Sequence, residues 1–257
     1  MRIFCLMCFL LSWQSLATPV ANIAAKTTAA KTVLFLTLEY PPYASEQLPG
    51  RGAALELLQL MLAGSGFKPV VQFVPWSRVL REAAAGRVDG ALLLWPEEFK
   101  RYPLLSTSPL FLSRLGFYVR QTELATRDVR LAALANQRVC TVRGYGYPPA
   151  LSAAGVLLDE AMSDEANLRR MMLGRCDLVA LERAVGEHLL QQSEFAALRR
   201  QISWAEPAFV ELPLTFGVTA GRADSAALLL ALEQGLARLR QQQQYQQLLQ
   251  RYGLDQP

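Results

Sequence analysis

The sequence predicts an α/β fold built from two halves of similar construction, and three observations carry this. Short runs rich in branched and aromatic residues alternate with stretches whose apolar residues recur at helical spacing. Val88 to Leu94 is almost continuously apolar, as a parallel-sheet strand covered by helices on both faces requires. Finally, the pattern Gly-Arg-x-Asp followed by an apolar strand occurs twice, at Gly86 to Leu92 and again at Gly174 to Glu182.

Composition narrows the function classes. At 257 residues the chain is long enough to bury a large core, and 52% hydrophobic against 19% charged residues excludes a disordered chain. The net charge of +4 is mild and no lysine or arginine run forms a stripe, so nothing points to nucleic acid. His188 is the single histidine and the four cysteines give no paired C-x-x-C spacing, since Cys5 and Cys8 lie inside the apolar N-terminal run. Neither a zinc site, nor a histidine dyad, nor a cofactor motif is indicated.

Residues 1–17 read as a signal peptide. Arg2 supplies the positive end, Ile3 to Trp13 the apolar segment, and Ser15-Leu16-Ala17 the small residues of a cleavage site. Thr18 to Lys31, rich in Ala and Thr, follows as a lead-in. No later stretch reaches the ~18 apolar residues of a membrane span, so an exported protein is expected.

The elements then follow in order. Thr32 to Leu38 is a first buried strand. Glu39-Tyr40-Pro41-Pro42-Tyr43 must turn at its carboxyl end because proline cannot continue a ladder, and that end is where open α/β sheets hold ligands. Ala53 to Ala63 is a helix with a broad apolar face, stopped by Gly64 and Gly66. Val70 to Val74 is the second strand and delivers Pro75-Trp76. Ser77 is placed to N-cap a helix carrying Val79, Leu80, Ala83 and Ala84, which Gly86 ends. After the apolar strand, residues 95–101 (Trp-Pro-Glu-Glu-Phe-Lys-Arg) read as a polar loop leading to Ser106-Thr107-Ser108-Pro109-Leu110.

The succession of helix, GRVDGA, strand, loop and STSPL closely resembles the extracellular solute-binding proteins of family 3, receptors for amino acids and similar small polar solutes. The resemblance runs from about Thr32 to Leu254. It implies the two-lobed type II periplasmic binding protein fold, with lobe 1 made of residues 32–118 plus 210–257 and lobe 2 of residues 122–206. Two hinge crossings are expected near 118–122 and 206–212. It also implies a periplasmic location, a monomer, and an ABC permease or other membrane partner.

On the resemblance, Tyr40 or Tyr43 lies against the ligand, Trp76 supplies a second aromatic wall, and Trp95 and Thr107 line the cleft. The family's T-x-E-R motif grips a ligand carboxylate through its arginine, but here Phe99 takes that position and the loop is about two residues short. Either Lys100 or Arg101 takes over the anion contact, or the ligand lacks a standard amino-acid carboxylate. Both could equally be ordinary solvated charges.

In the second half, Leu115 to Val119 reads as a strand leaving lobe 1, and DVRLAAL has helix-like spacing. Val139 to Val142 is a strand ending in Arg143-Gly144-Tyr145-Gly146, a turn whose N–H groups can hold an anion. The resemblance makes Arg143 face the cleft; the alternative is a surface arginine beside a structural turn. Val156 to Met162 is a short strand, and Ser163-Asp164-Glu165 opens a helix over Ala166 to Leu173. Glu182 stands where many family members place a carboxylate against the ligand's ammonium, or else it caps the following helix. Cys140 and Cys176 fall on strands that the family fold sets side by side. In an oxidising compartment they form a disulfide closing some 36 residues, which contributes roughly 3 kcal/mol, unless they remain buried thiols. Val210 to Val218 reads as the return strand, and Ser225 to Tyr252 as a long helical region docked on lobe 1.

Two other functions fit the same fold. One is a dehydratase of cyclic carboxylic acids with Glu182 or Glu39 as general acid. The other is a ligand-sensing module whose cleft has lost its receptor chemistry, as Phe99 suggests.

Overall fold

The computed structural model describes residues 30–257; the expected signal peptide and most of the lead-in lie outside the described residues. Strand β1 (Lys31–Thr37) pairs in parallel with β2 (Phe67–Phe73) and with β3 (Gly90–Leu94), all five residues of which are buried. Between them run α1 (Ala53–Leu62) and α2 (Trp76–Ala84). After β3 come a one-and-a-half-turn helix α3 (Pro96–Arg101), the short β4 (Leu104–Ser106) and the long β5 (Phe111–Arg120).

The second half contributes β6 (Arg138–Val142), α4 (Pro149–Ala153), β7 (Leu157–Ala161), α5 (Asp164–Met172), β8 (Leu178–Glu182) and α6 (Arg183–Gln191). The chain returns through β9 (Ile202–Thr219) and ends with α7 (Ser225–Gln241) and α8 (Gln244–Tyr252). The strand order is β2-β1-β3-β9-β5-β8-β6-β7, with β4 also on β9.

β9 joins two sheets. Thr215 to Val218 pair antiparallel with β3, and Gly217 to Thr219 with β4, whereas Ile202 to Leu214 pair antiparallel with β5. β5 in turn pairs with β8, and β8 and β7 flank β6 in parallel. The β5–β9 ribbon is therefore where one sheet gives way to the other. Each sheet has a three-stranded parallel part, β2-β1-β3 in one and β8-β6-β7 in the other, joined to the ribbon by antiparallel pairing, and the two sheets form two lobes.

Four local expectations change. α2 starts at Trp76 with Pro75 at its N-cap, so Ser77 lies inside the helix and caps nothing. Within the expected loop of residues 95–101, Pro96–Arg101 is helical and Trp95 is its extended N-cap. DVRLAAL makes only a single 3-10 turn, Leu131–Ala133. The terminal region breaks into α7 and α8 at Gln243, whose φ is 58°. α7 lies so close on α1 that a Cβ on Gly235 would sit 1.9 Å from the Met61 carbonyl, which makes glycine obligatory there. α8 is pinned by Tyr245, whose hydroxyl donates to the Leu110 carbonyl. In the second lobe Cys140 and Cys176 form a disulfide.

Candidate functional site

The site forms where the carboxyl ends of β1 and β3 meet the turn after β6. At the end of β1 the chain folds back on itself, Tyr40 and Ala44 exchanging backbone hydrogen bonds around the two prolines. This turns the Tyr40 and Tyr43 rings inward, stacked with centroids 5.7 Å apart and both buried. Gly52 packs against the same turn: a Cβ there would lie 2.5 Å from the Tyr43 carbonyl, and its φ is +98°.

Trp76 opens α2 and Trp95 follows β3. Near the end of β3 the register with β9 shifts, and Leu93 adopts φ 67°, a left-handed conformation that costs a leucine about 1 kcal/mol or more. This bulge swings Trp95 into the junction, where its indole N–H donates to Ser113 Oγ at 3.2 Å.

From the other lobe, Tyr145 stands on a turn between Gly144 (φ +87°) and Gly146. Its ring is the hub of the junction. It meets Tyr40, Trp76 and Trp95 at 6.1, 6.1 and 5.5 Å, at interplanar angles of 81°, 87° and 89°, and Tyr147 at 5.8 Å. Edge-to-face contacts of this kind each contribute about 1 kcal/mol beyond area burial. The Tyr145 hydroxyl donates to Asp164 Oδ2 at 2.8 Å.

Three carboxylates surround these rings, each about 2% exposed. Glu98, on α3, accepts from the Trp95 N–H at 2.6 Å, the Trp76 indole at 3.3 Å and, across the lobes, the Gly146 N–H at 2.8 Å. Gly146 has to lack a side chain, since a Cβ would sit 2.8 Å from the Glu98 carboxyl carbon. Burial drives the Glu98 pKa up to about 7, the hydrogen bonds from Gly146, Trp95 and Trp76 pulling the other way. Asp164, at the start of α5, is raised by burial to about 8. Glu182 N-caps α6 by accepting from the Val185 N–H at 2.8 Å, and takes a bond from the Tyr43 hydroxyl at 3.4 Å. It is raised by burial to about 7.

The structure thus brings Tyr40, Tyr43, Trp76, Trp95, Gly144, Tyr145 and Glu182 to one junction. It does not bring three other expected residues there. Arg143 is a surface residue, its side chain 59% exposed and paired with Glu160. Arg101 is exposed, as is Lys100, which pairs with Glu97 at 2.6 Å. Thr107 is buried, but its Oγ1 accepts from the Phe216 N–H and serves the sheet. Sequence reasoning missed Glu98, Asp164 and Tyr147. The spacing Trp95-x-x-Glu98 is that of a helix-capping pair, and it is the one signal that could have singled out Glu98.

The junction is tightly closed. A cavity of only about 10 Å³ remains between Leu38, Tyr40, Trp76, Leu93, Trp95, Glu98 and Tyr145, room for one water at most. Beside it opens a groove of about 450 Å³ lined by Glu39, Glu46, Phe73, Pro75, Met162 and Glu165 among others. Among the described residues no group of three or more His, Cys, Asp or Glu side chains is arranged to hold a metal ion, and no helix is long and apolar enough to cross a membrane.

No family profile and no curated protein sequence matches the chain. Solved structures do. A histidine kinase sensor domain with similarity to periplasmic binding proteins superposes with a TM-score of 0.78 at 20% identity, over 89% of this chain and 99% of that one. An amino acid ABC transporter substrate-binding protein from Streptococcus pneumoniae, bound to L-arginine, gives 0.72 at 15% identity over 87% and 94%. The fold is that of the type II periplasmic binding proteins. An ancestral amino-acid-binding protein, a precursor of cyclohexadienyl dehydratase, shares this periplasmic-binding fold at a TM-score of 0.69 and 16% identity, over 86% and 95%. In terms of the fold, the aromatic junction lies between the two lobes beside the β5–β9 ribbon.

Proposed function

We propose that this protein binds a small polar solute between its lobes and reports occupancy by hinge closure. The observation that carries the reading is Tyr145 of one lobe seated among Tyr40, Trp76 and Trp95 of the other, with Glu98 bonded across to Gly146. Contacts made by both lobes are what couple a ligand to closure. The division into lobes (residues 32–118 plus 210–257, and 122–206), with the β5–β9 ribbon as hinge, belongs to this proposal. So does the ligand-contacting set of Tyr40, Tyr43, Trp76, Trp95, Gly144, Tyr145 and Glu182. The protein acts as a monomer in the periplasm, delivering its solute to an ABC permease or another membrane partner.

A thermal-shift screen against small metabolites tests this, followed by small-angle scattering with the hit. Binding raises Tm and compacts the protein, while Trp76→Ala and Glu182→Gln each weaken affinity at least tenfold. Unchanged affinity in both variants means the cleft is elsewhere. A sensing role is favoured by one observation, the nearly solid junction of about 10 Å³, and the sensor-domain likeness agrees with it. Under that role no solute is delivered and a membrane-bound signalling partner reads the lobe arrangement. The dehydratase reading predicts turnover of a prephenate-like acid, whereas stoichiometric binding without turnover removes it.

A further inference from the structure

Among the described residues the buried side chains that carry a formal charge are Glu98, Asp164 and Glu182, and no lysine or arginine is buried with them. Cores bury carboxylates opposite cations as a rule, because an unpaired one costs several kcal/mol. Here all three border the aromatic junction, through Trp76, Tyr145 and Tyr43 respectively.

Around Asp164 the polar surroundings are also incomplete. Asp164 Oδ1 and the Tyr40 hydroxyl are fully buried without a hydrogen-bond partner. Tyr40 contacts the Tyr145 ring and lines the small cavity, and Asp164 holds the hydroxyl of that same ring. Two unpartnered oxygens thus flank one side chain, Tyr145. The Tyr40, Trp76 and Trp95 rings wall the same space with the π surfaces that attract cations.

We propose that the cleft is built for a small organic cation bearing N–H donors, an amine or guanidinium, with no carboxylate of its own. This deepens the cleft-binding proposal and rests on it. The cation takes the space now filled by the Tyr145 ring, donates to Asp164 and the Tyr40 hydroxyl, and lies against the Trp76 and Trp95 rings. A ligand carboxylate would instead enter beside three buried acids. The arginines around it are committed elsewhere: Arg143 and Arg101 are on the surface, Arg114 and Arg183 beside Tyr43 and Glu182 pair with Glu211 and Asp255 and with Glu187 and Glu206, and Phe99 packs against the core. Burial raises all three acids above the ordinary carboxylate range, and a cation bound beside them would draw them back down.

The test is calorimetric titration of the protein with matched pairs: agmatine against arginine, cadaverine against lysine, and glutamate as the anionic arm. The expected result is that an amine binds at least tenfold tighter than the amino acid it derives from, that glutamate does not bind, and that Asp164→Asn costs the amine at least tenfold. The wild-type pairs decide the question even if that variant folds poorly, which far-UV circular dichroism would reveal. Arginine, lysine or glutamate binding as tightly as the decarboxylated compounds, or a neutral solute as the best ligand, overturns the cation class and leaves the cleft reading intact. Amine binding unmoved by a folded Asp164→Asn variant overturns the site. If no compound in the wider metabolite screen raises Tm either, both readings fall together.

Discussion

The two lobes repeat one device and finish it differently. Asp89 and Asp177 each follow a Gly-Arg-x step and each lash a neighbouring strand. The Asp89 carboxylate accepts from the Leu34 N–H at 2.7 Å while its own N–H donates to the Leu34 carbonyl at 2.8 Å; Asp177 makes the same pair with Arg138, at 3.0 and 2.8 Å. A buried strand follows in both lobes, and then a buried glutamate that caps a helix and reaches the opposite lobe: Glu98 to the Gly146 N–H, Glu182 to the Tyr43 hydroxyl. The residues around these glutamates differ. The first lobe supplies fixed indole walls, whereas the second supplies one tyrosine on a glycine-flanked turn. Repetition sets the scaffold, and the few residues after each strand set the chemistry.

The largest predicted effect tests whether the two glutamates are equivalent. Both, and Asp164, hold protons in the folded state up to about pH 7 and 8, while the unfolded chain releases them in the ordinary carboxylate range. The sign follows from linkage. Their contribution is complete below the ordinary carboxylate range, is lost progressively as pH rises from there, and is gone once pH has passed about 7 and 8. For Glu98 alone the shift corresponds to roughly 3 kcal/mol. Tm measured by calorimetry should therefore fall from about pH 5 to about pH 8 and level off above it, and Glu98→Gln and Glu182→Gln should each flatten the fall. A Tm that rises through neutral pH, or flattening by only one variant, breaks the equivalence.

Next in size is the disulfide, which only the second lobe has. Closing 36 residues restricts the unfolded chain by about 3–4 kcal/mol. Replacing both Cys140 and Cys176 by serine should lower Tm by roughly 10 °C. Hydrogen exchange should show protection lost first in β6, β7 and β8, with β1 and β3 little affected. Equal loss in both lobes would mean they unfold as one unit.

Much of this was legible in the sequence, for identifiable reasons. β3 and β8 announced themselves because central parallel strands are apolar on both faces. The rings at 40, 43, 76 and 95 were found because they stand at strand ends. α3 was hidden because six residues show no helical period, and a tryptophan is an unusual N-cap, which concealed Glu98 as its partner. Asp164 looked like a helix start and nothing more; its burial comes from Tyr145, a contact no local pattern encodes. The family resemblance set Arg143 against the cleft. In the sheet it lies towards Glu160 of the neighbouring β7 and leaves the junction to Tyr145, two residues on.

The smallest predicted effect grades the two aspartate lashings against each other. Asp89 is the better shielded, its side chain 17% exposed against 26% for Asp177, and Leu34 is partly buried where Arg138 is exposed. Removing an acceptor costs most where water cannot replace it: about 1–3 kcal/mol for a buried donor, less for one that solvent reaches. Asp89 also pairs with Arg222 at 2.9 Å, but that arginine is 38% exposed, so the ion pair adds no more than ~1 kcal/mol. Urea denaturation should thus find Asp89→Ala about 1 kcal/mol more costly than Asp177→Ala. Asp89→Asn, which keeps the acceptor for the Leu34 N–H, should recover most of the loss. Equal costs for the two alanine variants would show that the lashings depend on strand geometry alone and not on their exposure to water.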